Sequence, residues 1–286
     1  MSMSTPTSSA LSLEAQAPPV NGSVNGSANG SEGSDEAGER RRAAIVAAIP
    51  GWYNPAIHLA IPTVFGLVLG IGAALRIHEL RWFELLVIPI TLFASFGFEW
   101  RAHKYILHKR QPLLNLLYER HELMHHVIFT YDRMAMRDRR ELWLILMPAY
   151  AIVLVFAMVL PLALLLARFL GENIALLMII TSMAFFLSYE WLHMAYHMPE
   201  DSRIGRMSVI RRLREQHRRH HEPRLMKRWN FNVTFPVFDG ILGTAWSPAR
   251  EAEVKRRRSA REGRAEAGGA PGSTSLDAGA VARSSK

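Results

Sequence analysis

The chain has 286 residues, 12 histidines and no cysteine, and its 34 Lys and Arg residues outnumber its 25 Asp and Glu residues. The missing cysteines exclude a disulfide scaffold, a cysteine-ligated zinc or iron–sulfur site and a thiol nucleophile. Hydrophobic residues make up 49% of the chain, yet its mean hydropathy is only +0.04. The apolar residues must therefore be concentrated in part of the sequence.

The N-terminal segment is polar and of low complexity. Residues 1–39 are rich in Ser, Gly, Asn and Ala. They contain no apolar run like that of a signal peptide, and they cannot bury enough surface to fold alone. We expect a disordered tail over 1–43, a membrane-embedded domain over 44–248 and a disordered basic tail over 249–286.

Four apolar segments lie within the predicted domain. A helix needs about 20 residues to cross the roughly 30 Å core of a bilayer, and each segment reaches that length within a residue or two. The third contains an uncharged run over 142–167, without the polar face of a soluble helix. We predict an all-α integral membrane protein with four transmembrane helices in two hairpins. The predicted spans are about 56–76, 81–99, 142–168 and 173–191.

The basic residues predict how these spans are oriented. Only Arg76, Arg81 and Arg168 fall in the two hairpin turns, so 31 of the 34 basic residues lie on the opposite side. Because cytoplasmic segments carry the excess of Lys and Arg, both termini and the central loop are expected in the cytoplasm, at a bacterial inner membrane or the endoplasmic reticulum. The positive charge then reflects topology, and no nucleic-acid partner is expected. The stretch 255–264 is read as a solvated tail, with contact to anionic headgroups as the alternative.

Ten of the 12 histidines fall into two regions, and each region begins where a predicted span ends. The first region follows the second span, and the other follows the fourth span. The ten residues are His103, His108, His121, His125, His126, His193, His197, His217, His220 and His221. His58 and His78 stand apart in the first span and an outer turn, where we expect a role in helix packing or at the interface.

The histidine spacing suggests which rings share a metal ion. Residues three or four apart lie on one face of an α-helix. The pairs predicted in this way are His121 with His125, His193 with His197, and His217 with His220. The second histidine of each HH doublet is expected to reach a second metal. His103 and His108 are five apart, about 140° around a helix, so they converge only at a helix end or a distortion.

These histidines predict a metal centre with two ions. Neutral imidazole suits iron, zinc, copper and nickel, whereas magnesium and calcium prefer oxygen ligands. Ten imidazoles are too many for one ion and fit two ions with about four to six ligands each. Two predicted spans separate the two regions, so both regions lie on the same side of the membrane. Topology and ligand pattern therefore agree.

Several polar residues are candidates to orient these ligands. A metal-bound histidine usually donates its other ring N–H to a carboxylate or carbonyl. Glu99 and Glu190 are close in sequence to the histidines and are predicted to act in this way. For the other nearby glutamates, which include Glu122, solvation is an equal alternative. Asn232 follows the last histidine motif and is a further candidate. No catalytic residue is predicted beyond the metal centre.

Residues 98–244 resemble the membrane fatty acid hydroxylase superfamily, which includes sterol desaturases and C4-methyl sterol oxidases. The segments that carry the resemblance are FEWRAHKYILH (98–108), HELMHH (121–126), YEWLHMAYH (189–197), HRRHH (217–221) and NFNVTFPVFDGILGT (230–244). The motif order is most similar to the fatty acid 2-hydroxylase branch. One departure is HxxxHH where that branch has HxxHH, so His121 matches the family pattern less directly than His125 and His126.

The resemblance implies a non-haem di-iron centre that uses O2 to insert oxygen into a C–H bond of a membrane lipid. It also implies that a lipid substrate enters from the bilayer. The sequence has no haem, flavin or dinucleotide fingerprint, so the electrons are expected from an external protein, cytochrome b5-like or ferredoxin-like. The arginine-rich face is either a docking site for that donor or the topological signal alone.

Other functions compatible with the histidines are kept as alternatives. A sterol desaturase or C4-methyl oxidase of the same superfamily uses the same histidine set. A zinc-dependent membrane hydrolase is a weaker alternative, in which Glu190 helps to activate water. A metal transporter is disfavoured, because transport sites lie near the bilayer midplane and these histidines lie outside the predicted spans.

Overall fold

The computed structural model describes residues 29–268, and every regular element in that part of the chain is helical. The α-helices are α1 Asn29–Ala47, α2 Pro55–Ala74, α3 Val87–Ala102, α4 Asn115–Tyr118, α5 His126–Ile128, α6 Leu142–Ile145, α7 Ala151–Leu170, α8 Glu172–Tyr196, α9 Ser208–His220, α10 Val237–Ile241 and α11 Pro248–Gly268. Two 3₁₀ turns, Trp82–Leu86 and Arg139–Glu141, and two π-helical turns, His103–Leu107 and Glu119–His125, join them.

Four helical stretches are long and apolar enough to cross a membrane: Pro55–Ala74, Trp82–Leu107, Ala151–Leu170 and Glu172–Tyr196. Much of their surface is exposed Leu, Ile, Val and Phe. Such a surface is stable only when lipid covers it. The prediction of an all-α membrane protein with four spans in two hairpins is confirmed.

The third span begins later than the sequence predicts. The apolar run from 142 is interrupted after the short helix α6, where Leu146 is extended and Pro148 follows, and α7 starts at Ala151. The carboxylate of Glu190 accepts the Met147 N–H, and the guanidinium of Arg120 donates to the Leu146 carbonyl at 3.3 Å. These two buried side chains satisfy the backbone groups that the interruption frees.

The two parts of this apolar run have different environments. Leu144, Ile145 and Leu146 are buried inside the protein, whereas α7 exposes much of its apolar surface. Burial in protein and exposure to lipid both select apolar residues, so composition does not separate them.

The helix α8 is the central element of the membrane domain. It packs against α2, α3 and α7, and it is the most buried of the four spans. A single residue, Gly171, connects α7 to α8 with φ = 114°, a backbone conformation that side-chain-bearing residues rarely adopt. The hairpins therefore place the C-terminal ends of α3 and α8 at the same end of the bundle.

Both predicted tails contain helix in the described residues. The helix α1 (Asn29–Ala47) lies largely within the predicted N-terminal tail and forms a unit of its own, and α11 (Pro248–Gly268) lies within the predicted C-terminal tail. Disorder is predicted from the sequence over both stretches, and the structure describes them as helical. The rest of the two predicted tails, 1–28 and 269–286, lies outside the described residues.

Gly205 is the glycine at which packing leaves the least room for a side chain. A Cβ built there would lie 2.2 Å from the Pro199 carbonyl oxygen, a backbone atom that has little freedom to move. We expect Gly205→Ala to lower the free energy of unfolding by about 1–3 kcal/mol, the usual range for overpacking. A thermal denaturation series of the detergent-solubilised protein measures this. Gly51→Ala is the matched control, because nothing lies within 4 Å of its Cβ position; equal melting temperatures for the two variants would contradict the close approach.

Candidate metal centre

Two π-helical turns carry histidines that a regular α-helix would hold apart. Hydrogen bonds in a π-helix run between residues five apart, and such turns are frequent at functional sites. The first turn, His103–Leu107, extends the second membrane span. The rings of His103 and His108 lie 5.0 Å apart between centroids and nearly parallel, at 20°. The distortion that the five-residue spacing requires is therefore present.

The second π-helical turn, Glu119–His125, changes the expected pairing of the HELMHH motif. It brings His121 close to His126, five residues on, with 3.1 Å between their Nε2 atoms. The motif HxxxHH has one residue more than HxxHH, and the wider π turn accommodates that residue. His121 thus lies among the other histidines despite its departure from the family spacing.

The ten histidines form two adjacent groups of five. Within each group the candidate ligand atoms all lie within 4.8 Å of one another, and every ring is buried. The first group is His103, His108, His121, His126 and His220, and the second group is His125, His193, His197, His217 and His221. All ten histidines that the sequence singles out are therefore brought together.

The division between the groups corrects two of the predicted pairs. His193 and His197 share the second group as predicted. The pairing of His121 with His125 is wrong, because the π turn sends these two rings into different groups. The pairing of His217 with His220 is also wrong, because these residues fall in different groups. Their ring centroids are 6.0 Å apart, whereas the ring centroids of His217 and His221 are 4.6 Å apart. Each HH doublet is split between the groups, as the sequence predicts.

Backbone carbonyls fix the outward nitrogen of several rings. The Nδ1 atoms of His103, His197, His220 and His221 lie 2.5–2.9 Å from the carbonyl oxygens of Phe231, Met134, Trp229 and Phe129 respectively. A carbonyl only accepts, so each Nδ1 must carry the proton and donate it. The Nε2 atom of each of these rings is then unprotonated, and its lone pair points into the histidine group.

The electrostatics of the groups favour neutral rings. Burial, which penalises the charged form, lowers the pKa of His125, His126 and His217 well below the ordinary histidine value. The same cause lowers the pKa of His121, His197, His220 and His221. Neutral imidazole is the form that binds a metal ion.

The nitrogen atoms fit a metal ion better than they fit each other. Nε2 atoms face one another at 2.9 Å between His103 and His121 and at 2.9 Å between His108 and His220. Because Nδ1 of His103 and His220 donates to a carbonyl, Nε2 of those two rings has no proton to donate. Among the described residues, the buried Nε2 atoms of His193 and His197 have no hydrogen-bond partner. A shared cation satisfies these converging lone pairs, so the residues fit one metal in each group.

The loop after α9 supplies two of the orienting carbonyls. Asn230 adopts a left-handed conformation, φ = 57°, so the carbonyls of Trp229 and Phe231 on either side of it reach His220 and His103. Asn tolerates this conformation better than most residues. The Asn230 backbone N–H and side chain bond to Thr244, Gln216 and Trp246, which holds the turn in place.

Glu99 and Asn232 support this loop and do not contact a histidine ring. The buried Glu99 carboxylate accepts hydrogen bonds from the backbone N–H groups of Val233 and Thr234, from the Thr234 hydroxyl and from the Asn232 amide, at 2.6–3.0 Å. The Asn232 side chain also accepts from the N–H groups of Phe238 and Asp239. The direct contact expected between Glu99 and a ring is absent; Glu99 fixes the loop whose carbonyls orient His103 and His220.

Glu122 is the carboxylate that contacts a candidate ligand, a role that the sequence analysis left open. Its side chain bonds to Nδ1 of His108, and its other oxygen lies 3.0 Å from the ammonium of Lys227. Glu190, which the sequence analysis favoured, instead binds the Met147 N–H. The pairing of Glu122 with His108 joins two π-helical turns, so spacing along one helix could not reveal it.

The two remaining histidines lie outside both groups. The ring nitrogens of His58 lie 2.9 Å from the Tyr53 hydroxyl and 2.9 Å from the Met147 carbonyl, which ties α2 to the interruption before α7. His78 bonds to the Arg76 carbonyl in the first hairpin turn. A packing role for His58 agrees with the prediction.

The contact between Glu122 and His108 gives a test of the first group. Glu122→Ala removes the acceptor of the His108 Nδ1 proton, so we expect about 10–100-fold weaker metal binding, as is typical when such partners are lost. Metal content per chain after dialysis against graded chelator measures it. Glu119→Ala is the control, since Glu119 lies on the same π turn but bonds to Asn115; indistinguishable chelator curves would show that Glu122 does not orient a ligand.

Comparison with known proteins agrees with this site. The model of the fatty acid hydroxylase family matches residues 87–244, more than half of the chain. No curated protein matches. A solved structure described as full-length Scs7p, with only the hydroxylase domain visible, is 19% identical, covers 67% of each chain and has a TM-score of 0.46. The chain belongs to the fatty acid hydroxylase family and is a multi-pass membrane oxidoreductase that acts on lipid.

Proposed function

We propose that the protein is a non-haem di-iron hydroxylase that uses O2 to insert oxygen into a C–H bond of a membrane lipid acyl chain. The observation that supports this most directly is the pair of adjacent groups of five buried histidines. In this proposal all ten histidines are iron ligands, one iron to each group, and the domain over 44–248 contains the whole site. Glu99, Glu190 and Asn232 act as positioning residues through the backbone, Glu99 and Asn232 in the loop after α9 and Glu190 at Met147. Glu122 orients His108 directly.

The chemistry requires a metal pair and a reductant. Bound iron supplies the activation of O2, and the balanced reaction is R–H + O2 + 2e⁻ + 2H⁺ → R–OH + H2O. The chain's own residues hold the metals in a buried, neutral ligand set and exclude bulk water, which would otherwise compete for the site. No described side chain needs to serve as nucleophile or general base in this proposal.

The carboxylates argue against the zinc hydrolase alternative. A hydrolytic zinc site usually has a carboxylate free to take a proton from the bound water. Glu99 and Glu190 are engaged with backbone N–H groups, and Glu122 is held between His108 and Lys227. These three buried carboxylates are therefore engaged in structural contacts.

A narrow pocket of about 10 Å³ lies beside both histidine groups, and an acyl chain is proposed to approach the metals from this side. It is lined by apolar side chains that include Leu117, Leu144 and Tyr189, and it reaches His121 of the first group and His193 of the second. Both groups thus have one member in the lining of the same pocket. An acyl chain suits this lining, and a sterol of the related enzymes is the alternative substrate.

The electrons are proposed to come from a separate protein, cytochrome b5-like or ferredoxin-like. The sequence contains no cysteine for an iron–sulfur cluster and no dinucleotide fingerprint. The histidine groups lie at the end of the bundle that joins the basic central loop, 101–140. Lys227 is 67% exposed at that end and pairs with Glu122, so an acidic donor could dock close to His108.

The same end of the bundle is proposed to face the cytoplasm. Of the 34 basic residues, 31 lie on the side of the central loop and the two termini. By the preference of basic loops for the cytoplasm, the protein is a multi-pass protein of a bacterial inner membrane or the endoplasmic reticulum, with its metal centre in the cytoplasm.

The proposed activity is tested by expression in a host without the enzyme. We expect the wild-type chain to produce lipids heavier by one oxygen atom, and His220→Ala to abolish that product while still inserting into the membrane. Lipid mass spectrometry with ¹⁸O2 measures the amount of this product for the wild type and for the variant. His78→Ala is the control, because His78 lies outside the metal groups. A fully active His220→Ala variant would remove this residue from the ligand set, and a product lighter by two hydrogens would identify a desaturase.

Metal identity and oxygen use separate hydroxylase from hydrolase. We expect the purified protein to consume O2 with added reductant and lipid, and to lose activity when zinc replaces iron. A zinc-only protein that cleaves lipid without O2 would overturn the proposal.

A further inference from the structure

A second cavity lies apart from the histidine groups, between the loop 131–137 and α9. Its volume is about 330 Å³, within the range of small-ligand sites. The side chains that give it polar character are Tyr131, Arg133, Arg137, Tyr196, Arg214 and Arg218. Neither the proposed reaction nor the metal centre uses this cavity.

The cavity has an excess of positive charge. Four arginines line it, against two acidic residues, Asp132 and Glu200. The acidic side chains are 86% and 74% exposed, and they approach Arg218 and Arg214 only to 4.0 and 3.8 Å. Ion pairs this loose and exposed are weak. These two carboxylates therefore neutralise Arg214 and Arg218 only in part.

Two buried polar groups on the cavity wall lack a hydrogen-bond partner within residues 29–268. Arg214 is only 4% exposed; one guanidinium nitrogen donates to the carbonyls of Ala195 and Met198, while its buried Nε has no partner. Tyr196 is fully buried, and its hydroxyl also has no partner. Buried donors are normally satisfied, so both groups point to a ligand that accepts hydrogen bonds.

We infer that this cavity binds a phosphate group, carried by a lipid headgroup or free in solution. Guanidinium groups bind phosphate with short, paired hydrogen bonds. A phosphate monoester carries a charge of about −1.5 to −2 at neutral pH, which suits the loosely paired guanidinium groups of Arg214 and Arg218. The Tyr196 hydroxyl and the Arg214 Nε supply two further donors for its oxygens.

The site adjoins the second histidine group through the loop that lines it. The Met134 carbonyl accepts the Nδ1 proton of His197, and the Met136 N–H donates to the His197 carbonyl, both at 2.8 Å. The Tyr196 ring also contacts His217, with 5.5 Å between centroids. A phosphate bound here orders the loop that orients His197.

Direct binding of inorganic phosphate tests the site. The full-length metal-loaded protein is titrated by calorimetry in nanodiscs of pure phosphatidylcholine. We expect Tyr196→Phe, which removes only the hydroxyl, and Arg218→Gln each to weaken phosphate binding at least tenfold. Arg211→Gln, a change of the same charge on α9 outside the cavity lining, should leave it unchanged. Metal content and gel-filtration profile verify folding, and Arg218→Gln carries the test if Tyr196→Phe misfolds.

A second arm identifies the source of the phosphate. If the site binds a lipid headgroup, phosphatidic acid in the nanodiscs competes with inorganic phosphate and weakens its apparent binding. Tyr196→Phe is then expected to reduce this competition. Unchanged binding in the two kinds of nanodisc assigns the site to free phosphate. The inference would be overturned if the wild type and both cavity variants bound phosphate with equal affinity. It would also be overturned if inorganic phosphate did not bind and phosphatidic acid had no effect.

Discussion

The structure depends on the convergence of ten buried imidazoles in two adjacent groups. Burial favours the uncharged form of rings such as His125, His126 and His217. Carbonyl acceptors hold the Nδ1 protons of several rings outward, so that unprotonated Nε2 atoms point into the groups. That arrangement is unfavourable without a cation between the lone pairs and favourable with one. Metal binding and the folded arrangement of this end of the protein are therefore linked.

The surrounding elements serve this convergence. Two π-helical turns bring residues five apart to one side, and the left-handed Asn230 presents carbonyls to two rings. Glu99, buried at the end of a membrane span, fixes the same loop with hydrogen bonds to Val233 and Thr234. The helix α8 joins the membrane domain to the metal centre, because it is a membrane span for most of its length and carries His193 near its end.

The sequence predicts the four spans, the ten histidines and their convergence, since each depends on chain-local composition and on the number of membrane crossings. It does not predict how the histidines divide into groups, because a π turn depends on tertiary contacts as well as spacing. The late start of the third span was also hidden, as burial in protein and contact with lipid select the same residues. Glu122 and the carbonyls of Trp229 and Phe231 are recognised only when distant segments are seen together.

The central claim is that each group of five histidines holds one iron ion. Anomalous X-ray diffraction measured on both sides of the iron absorption edge, on crystals grown without added metal from iron-supplemented cells, tests it most directly. We expect two iron peaks per chain, one between His103, His121 and His220 and one between His125, His193 and His217. An active protein with a single peak, or with no iron in either group, would contradict it.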